Sequence, residues 1–165
     1  MNIYETTKLR EEYLLFHYGT PEQIHSWPGG PCEALGFPAR IVERFSGGEV
    51  ARALDLGCAT GRSAFELSRT AAEVVAIDYS QGFVDAAKAM QSAGCCEVSR
   101  LEEGRCREPL VVESPSGTFP ERIIFEQGDA MNLRAGLGSF DRVLAANLLC
   151  RLSEPGRLLA RLPEL

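Results

Sequence analysis

The chain has 165 residues, 45% of them hydrophobic and 24% charged, with a formal net charge of -6 and a pI near 5.0. That is enough apolar chain for one core, and no Lys/Arg block or basic stripe with interleaved aromatics marks it for nucleic acid. With no run of 18 apolar residues and no signal-peptide pattern, the expectation is a cytoplasmic protein without a membrane partner.

Residues 1–19 alternate apolar and charged side chains in a helical rhythm, closed by Gly19 and Pro21. Residues 20–36 hold several Pro-Gly breaks and predict an ordered loop anchored by Trp27. A short helix is predicted from Pro38 to Phe45, stopped by Gly47-Gly48. An alternation of strands and helices follows. The first strand is predicted at 51–56, a helix at 61–71, and a second strand at Glu73–Ile77 that ends on Asp78. Ser80 is the predicted N-cap of a helix running to Ser92.

Residues 97–121 break this rhythm, as a loop or as a small hairpin containing the strand-like Leu110–Glu113 and the turn Pro115-Ser116-Gly117. The third strand is predicted at Arg122–Glu126, ending at Gly128-Asp129-Ala130, and the fourth at Phe140–Ala146, ending at Asn147. A last helix covers Glu154–Leu162. Four β/α units in series predict an α/β fold with a doubly wound parallel sheet. None of the six cysteines (32, 58, 95, 96, 106 and 150) forms C-x-x-C and neither histidine clusters with them, so free thiols and no metal site are expected.

Ligands in such sheets bind at the carboxyl ends of the strands. The sequence places Asp55 and Gly57, Asp78, Asp129, and Asn147 at four successive ends. The stretch Leu54-Asp55-Leu56-Gly57-Cys58-Ala59-Thr60-Gly61 is a strand running into a glycine turn and a helix. Its glycines are expected to turn the backbone and to admit a ligand. A dinucleotide fingerprint would need glycine at positions 59 and 62, where Ala59 and Arg62 stand. An acid beside the turn suits a nucleoside that is neutral or cationic, and Asp78 suits its ribose hydroxyls.

The spacing Asp55-x-Gly57-x-Ala59-x-Gly61 resembles motif I of the class I S-adenosylmethionine-dependent methyltransferases, with alanine at the middle glycine. The resemblance implies a Rossmann-like fold with S-adenosylmethionine as methyl donor. It implies donor binding by Asp55, Gly57, Ala59, Gly61, Asp78, Tyr79, Asp129, Ala130 and Asn147, with Asp129 and the Ala130 N–H at the adenine. Three further blocks, Tyr13–Gly19, Phe125–Ala130 and Leu144–Leu152, resemble the 4-mercaptohistidine imidazole-N-methyltransferases of ovothiol biosynthesis, which many bacteria fuse behind an iron-dependent sulfoxide synthase.

That narrower resemblance implies 4-mercaptohistidine (5-thiohistidine) as substrate and ovothiol A as product. Asn147 and Arg151 are the candidate catalytic residues. Tyr4, Lys8, Tyr13, His17, Tyr18 and Arg151 are the candidate substrate contacts. The expected organisation is a single methyltransferase domain over 1–165. A helical lid spans 1–48, and a core spans 49–165, cut short after its fourth strand and helix where the family has seven strands. The competing expectations are a truncated, non-catalytic adenosyl-binding module that needs a partner chain, and a methyltransferase acting on another small molecule.

Overall fold

The computed structural model describes residues 3–25, 27 and 29–165; residues 1–2 of the predicted first helix and residues 26 and 28 of the predicted loop lie outside it. After a 3-10 turn at Ile3–Glu5, α1 runs from Thr7 to Tyr18. Thr6 caps it, its hydroxyl accepting the Leu9 N–H at 3.3 Å. The predicted loop contains a one-turn helix, α2 (Pro21–Ile24), closed by a capping box between Thr20 and Gln23. Trp27 is not the buried anchor expected. It is 62% exposed and tilts against the His25 ring. The next helix, α3, covers Phe37–Val42 and ends three residues earlier than predicted.

Four parallel strands form the central sheet: β1 (Val50–Leu56), β2 (Ala71–Asp78), β5 (Ile123–Gln127) and β6 (Arg142–Leu144), in the order β5-β2-β1-β6. This is the expected doubly wound α/β arrangement. Apolar clusters cover both faces, so β1 and β2 read as nearly continuous apolar runs. Between these two strands lies α4 (Arg62–Leu67). It stops short of the predicted residue 71 because Ala71 already pairs with Val50 across the sheet. The long helix α5 (Gln81–Ala93) starts at Ser80, whose hydroxyl accepts the Phe83 N–H at 3.2 Å, and stops at Gly94 in the left-handed conformation.

The irregular stretch is a hairpin, not a loop. β3 (Cys95–Glu103) pairs antiparallel with β4 (Cys106–Glu113) around a tip at Gly104. Pro115-Ser116-Gly117 follows the hairpin instead of forming its turn. All six cysteines are free thiols. The hairpin lies outside the central sheet and is pinned to the N-terminal helices. Ser99 donates to the Glu11 carboxylate at 2.7 Å, and Arg107 reaches Glu11 at 3.1 Å and the Ser99 hydroxyl at 2.7 Å. Arg100 donates to the Glu22 and Gln23 carbonyls.

The fourth sheet strand, β6, has three residues where seven were expected. Asp141 is held before it by its N–H on the Arg52 carbonyl, and Asn147 after it adopts φ +54. The last helix, α6 (Pro155–Arg161), packs Leu158 into the second cluster. Among the described residues, no helix is long and apolar enough to cross a membrane.

Candidate active site

The carboxyl ends of the strands and the N-terminal helices enclose a cleft of about 800 Å³. Its floor begins at the glycine turn after β1. Gly57 (φ +73), Ala59 (φ +48) and Gly61 (φ +90) all take the left-handed conformation. The Ile77 carbonyl accepts the N–H groups of Gly57 and Cys58, so the turn hangs from β2. The Ala59 N–H donates to Asp78 Oδ2 at 2.8 Å, and the Ser80 N–H donates to Asp78 Oδ1 at 2.9 Å. Both oxygens of Asp78 are thus aimed by backbone donors, and the residue lines the cleft. Burial pushes its carboxyl above the usual range, and the two N–H bonds pull the other way.

Two residues expected at the ligand stand behind the wall instead. Asp55 is buried beneath the turn, accepts the Ser63 hydroxyl at 2.6 Å and does not line the cleft. Burial drives its carboxyl up to about 7 against the pull of that hydrogen bond. Gly61 is also off the wall: a Cβ there would stand 2.7 Å from the Phe125 ring. Its glycine serves a positive φ and close packing on β5, not an opening for a ligand.

The remaining strand ends do face the cleft. Asp129, whose Oδ1 accepts the Met131 N–H at 2.8 Å, lines it with Ala130, and Tyr79 lines it with a 64% exposed side chain. Asn147 and Arg151 line it beyond β6. Ala59 and Asn147 are the two non-glycine residues with positive φ among those described, and both lie on the cleft. Such backbone strain collects where surrounding structure fixes a site.

The cap comes from α1. Leu9, Glu12, Tyr13, Phe16 and His17 line the cleft at the spacing of one helical face. Tyr13 packs on Phe83 with ring centroids 4.7 Å apart, and Tyr4 meets the same ring edge-on at 5.9 Å. Burial, then the nearby Tyr4, raises the Tyr13 phenol, while the Arg151 charge lowers it. His17 Nδ1 is 3.0 Å from the Thr60 hydroxyl, and burial plus the Arg62 cation lowers the imidazole to about 4. His17 is therefore neutral at neutral pH.

Two nominated substrate contacts are not on the wall. Tyr18 is buried and donates its hydroxyl to the Thr60 carbonyl at 2.7 Å. Lys8 is off the wall and largely exposed, its ammonium 3.8 Å from Glu12. Glu12, Phe16 and Phe83 line the cleft without having been singled out, although the 9/12/13/16/17 spacing marks the α1 pair.

The model of the methyltransferase domain family matches residues 54–163, from the end of β1 through α6. The chain belongs to the methyltransferase domain family. Its parallel sheet flanked by helices matches the fold of Rossmann-like methyltransferases.

No curated protein matches it significantly. Among solved structures, this methyltransferase domain is similar to the [4+2]-cyclase SpnF at 25% identity and TM-score 0.56, over 78% of this chain and 39% of that one. It is similar to the glycopeptide N-methyltransferase MtfA, solved with S-adenosyl-L-methionine, at 20% identity and TM-score 0.54, over 76% and 47%. A putative methyltransferase of Haloferax volcanii, solved with its Trm112 activator, aligns at 18% identity and TM-score 0.50, over 76% and 44%. The chain thus spans less than half the length of each of these three.

The methyltransferase cleft fits S-adenosylmethionine by the chemistry of its donor set. Asp78 presents two aimed carboxylate oxygens at the position that suits paired ribose hydroxyls. Three carboxyl groups (Glu12, Asp78 and Asp129) line the wall, a negative surround suited to a sulfonium. The volume is within the range of small-molecule sites.

Proposed function

We propose that this methyltransferase methylates an imidazole ring nitrogen of 4-mercaptohistidine to give ovothiol A, using S-adenosylmethionine. One observation carries the reading: aimed donor-side carboxylates and a cap of Tyr4, Tyr13, Phe16 and His17 share a single cleft with Arg151. When bound, S-adenosylmethionine supplies a methyl group already activated on a sulfonium; the ring nitrogen lone pair takes it as the carbon–sulfur bond breaks, and the electron pair stays on the thioether of S-adenosylhomocysteine.

The residues mainly orient. Asp78 takes the ribose hydroxyls, Tyr79 flanks the adenosine, and Asp129 with the Ala130 N–H reads the adenine. Gly57 and Ala59 shape the turn against the ligand. Asp55 and Gly61 act from behind by holding that turn, and Tyr18 and Lys8 act from behind the cap. The substrate thiolate is a stronger nucleophile than its ring nitrogen, so selectivity rests on alignment. Asn147 and Arg151 position the substrate so that its sulfur lies off-axis, while Tyr13 and His17 pack the ring. Alignment of this kind contributes on the order of 7–11 kcal/mol to a transfer.

The thiol-bearing substrate calls for a sulfur-inserting reaction upstream, the chemistry of an iron-dependent sulfoxide synthase. Six free thiols suit the reducing cytoplasm. The test is a mass-spectrometric assay with S-adenosylmethionine and 4-mercaptohistidine, with fragmentation to separate N- from S-methyl product. An N-methyl product supports the reading; S-methyl product alone, or no product from protein that binds S-adenosylhomocysteine, overturns it.

A second reading is a donor-binding module completed by a partner. It is favoured by β6, which is three residues long, pairs only with β1 among the described residues, and is followed in the chain by the exposed Leu149 and Leu159. Donor binding without turnover until a second protein is added supports it.

A further inference from the structure

We infer that Glu12 and Arg151 form a two-ended subsite that selects a free α-amino acid, with Glu12 receiving the α-ammonium and Arg151 the α-carboxylate. This rests on the small-molecule reading above and assigns its specificity to a residue outside every recognised motif.

The argument is one of charges left over. The cleft is lined by three carboxylates and one guanidinium. Asp78 and Asp129 are already bound by backbone N–H groups at the strand ends, on the donor side. Glu12 is different: it sits on the cap helix, one turn from Phe16 and beside Tyr13, and its partner Lys8 is a long, exposed contact at 3.8 Å. Such a pair yields readily to a better-placed ammonium.

Arg151 is the single guanidinium on the wall. Most arginines of this chain are engaged by carboxylates or carbonyls, as at Arg52, Arg62, Arg100, Arg107 and Arg142. Among the described residues, Arg151 makes no ion pair, and it lines the same cleft as Tyr13, whose phenol its charge lowers. A planar fork of that kind matches a carboxylate in two parallel hydrogen bonds.

Opposite charges on the cap helix and after β6, lining one cleft together with aromatic side chains, match a zwitterion whose side chain is a flat ring. A peptide-bound residue has neither free end, and an amine or an acid has only one. Each missing end leaves a cleft charge unanswered, which is how polar sites reject close analogues.

The experiment uses the full chain saturated with S-adenosylhomocysteine. Calorimetric titrations compare 4-mercaptohistidine, its deamino analogue and its decarboxylated analogue. The wild type is expected to prefer the zwitterion by about tenfold or more over each analogue. Glu12→Gln should remove the preference over the deamino analogue alone, and Arg151→Met the preference over the decarboxylated analogue alone. Unchanged preferences in both variants, with S-adenosylhomocysteine affinity retained as proof of folding, overturn the assignment. A two-ended preference without any methyl product supports the assignment while the proposed reaction falls. Methyl product without the preference does the reverse.

Discussion

The two walls of the cleft are built on different principles. The donor wall is held by backbone. Asp78 is aimed by two N–H groups, the glycine turn hangs from the Ile77 carbonyl, and Asp55 is buried beneath. The cap wall is held by side chains: α1 is fixed from outside by the Glu11–Ser99–Arg107 cluster and from inside by aromatic packing on Phe83. Backbone geometry survives most substitutions, whereas side-chain geometry shifts with each one.

Substitutions can break the comparison in order of effect. The largest is expected at Asp55. Its carboxyl titrates near 7 when folded and near its ordinary value of 3.8 when unfolded. Between those values the unfolded chain binds fewer protons, so stability falls as pH rises, by about 4 kcal/mol for a shift of this size. Asp55→Asn should flatten that slope, leaving the smaller part from Asp78, and be more stable at pH 7.5 than the wild type, as read by urea unfolding across pH 4–8. A variant with an unchanged slope would show that the donor wall carries no such buried acid.

Next is Asp78→Ala, which removes a charged acceptor and frees two backbone donors. Affinity for S-adenosylhomocysteine should fall by roughly 100-fold in calorimetry, from charged hydrogen bonds of about 1.5–3 kcal/mol each. Loss of only acceptor binding would place the donor elsewhere. A smaller effect separates the walls directly. Arg107→Met, on the hairpin, should raise the acceptor KM by about threefold to tenfold and leave donor affinity unchanged, since it unpins α1 alone. Equal effects on both ligands would erase the distinction. The smallest is Ala59→Gly. Relief of left-handed strain of about 1 kcal/mol is partly offset by the freer unfolded chain, for a net gain of about 0.5 kcal/mol in thermal unfolding.

The same contrast explains what was legible in the sequence. Each strand end is announced locally: an apolar run, then an acid or asparagine, then a cap such as Ser80. Hence β1, β2, β5 and the position of Asp78 were readable, and the parallel order followed from the alternation. Whether a strand-end residue points into the cleft or under it is decided by packing, so Asp55 and Gly61 were nominated for the wrong surface. The cap was harder because α1 is apolar on two sides. Leu14 and Tyr18 face the core while Tyr13 and Phe16 face the cleft, so no single stripe stands out. Lys8 and Tyr18 were chosen and Glu12 was not, because side-chain direction on such a helix depends on neighbours. Here those neighbours include a hairpin distant in sequence. Trp27 shows the converse, since an aromatic among prolines and glycines suggests burial that the structure does not provide.

Thr60 has a mechanical consequence. Its carbonyl receives the Tyr18 hydroxyl and its side chain meets His17, while Arg62 grips the His17 carbonyl at 3.0 Å. The other end of the cap is tied by the Ser80 hydroxyl donating to the Tyr4 carbonyl, the Gly82 N–H donating to Glu5 and the Tyr4 ring against Phe83. Both ends of the cap are therefore registered on the strand ends of the sheet, one at the turn after β1 and the other at the start of α5. The surface that meets the acceptor is thus positioned from the same turn that lines the donor side of the cleft.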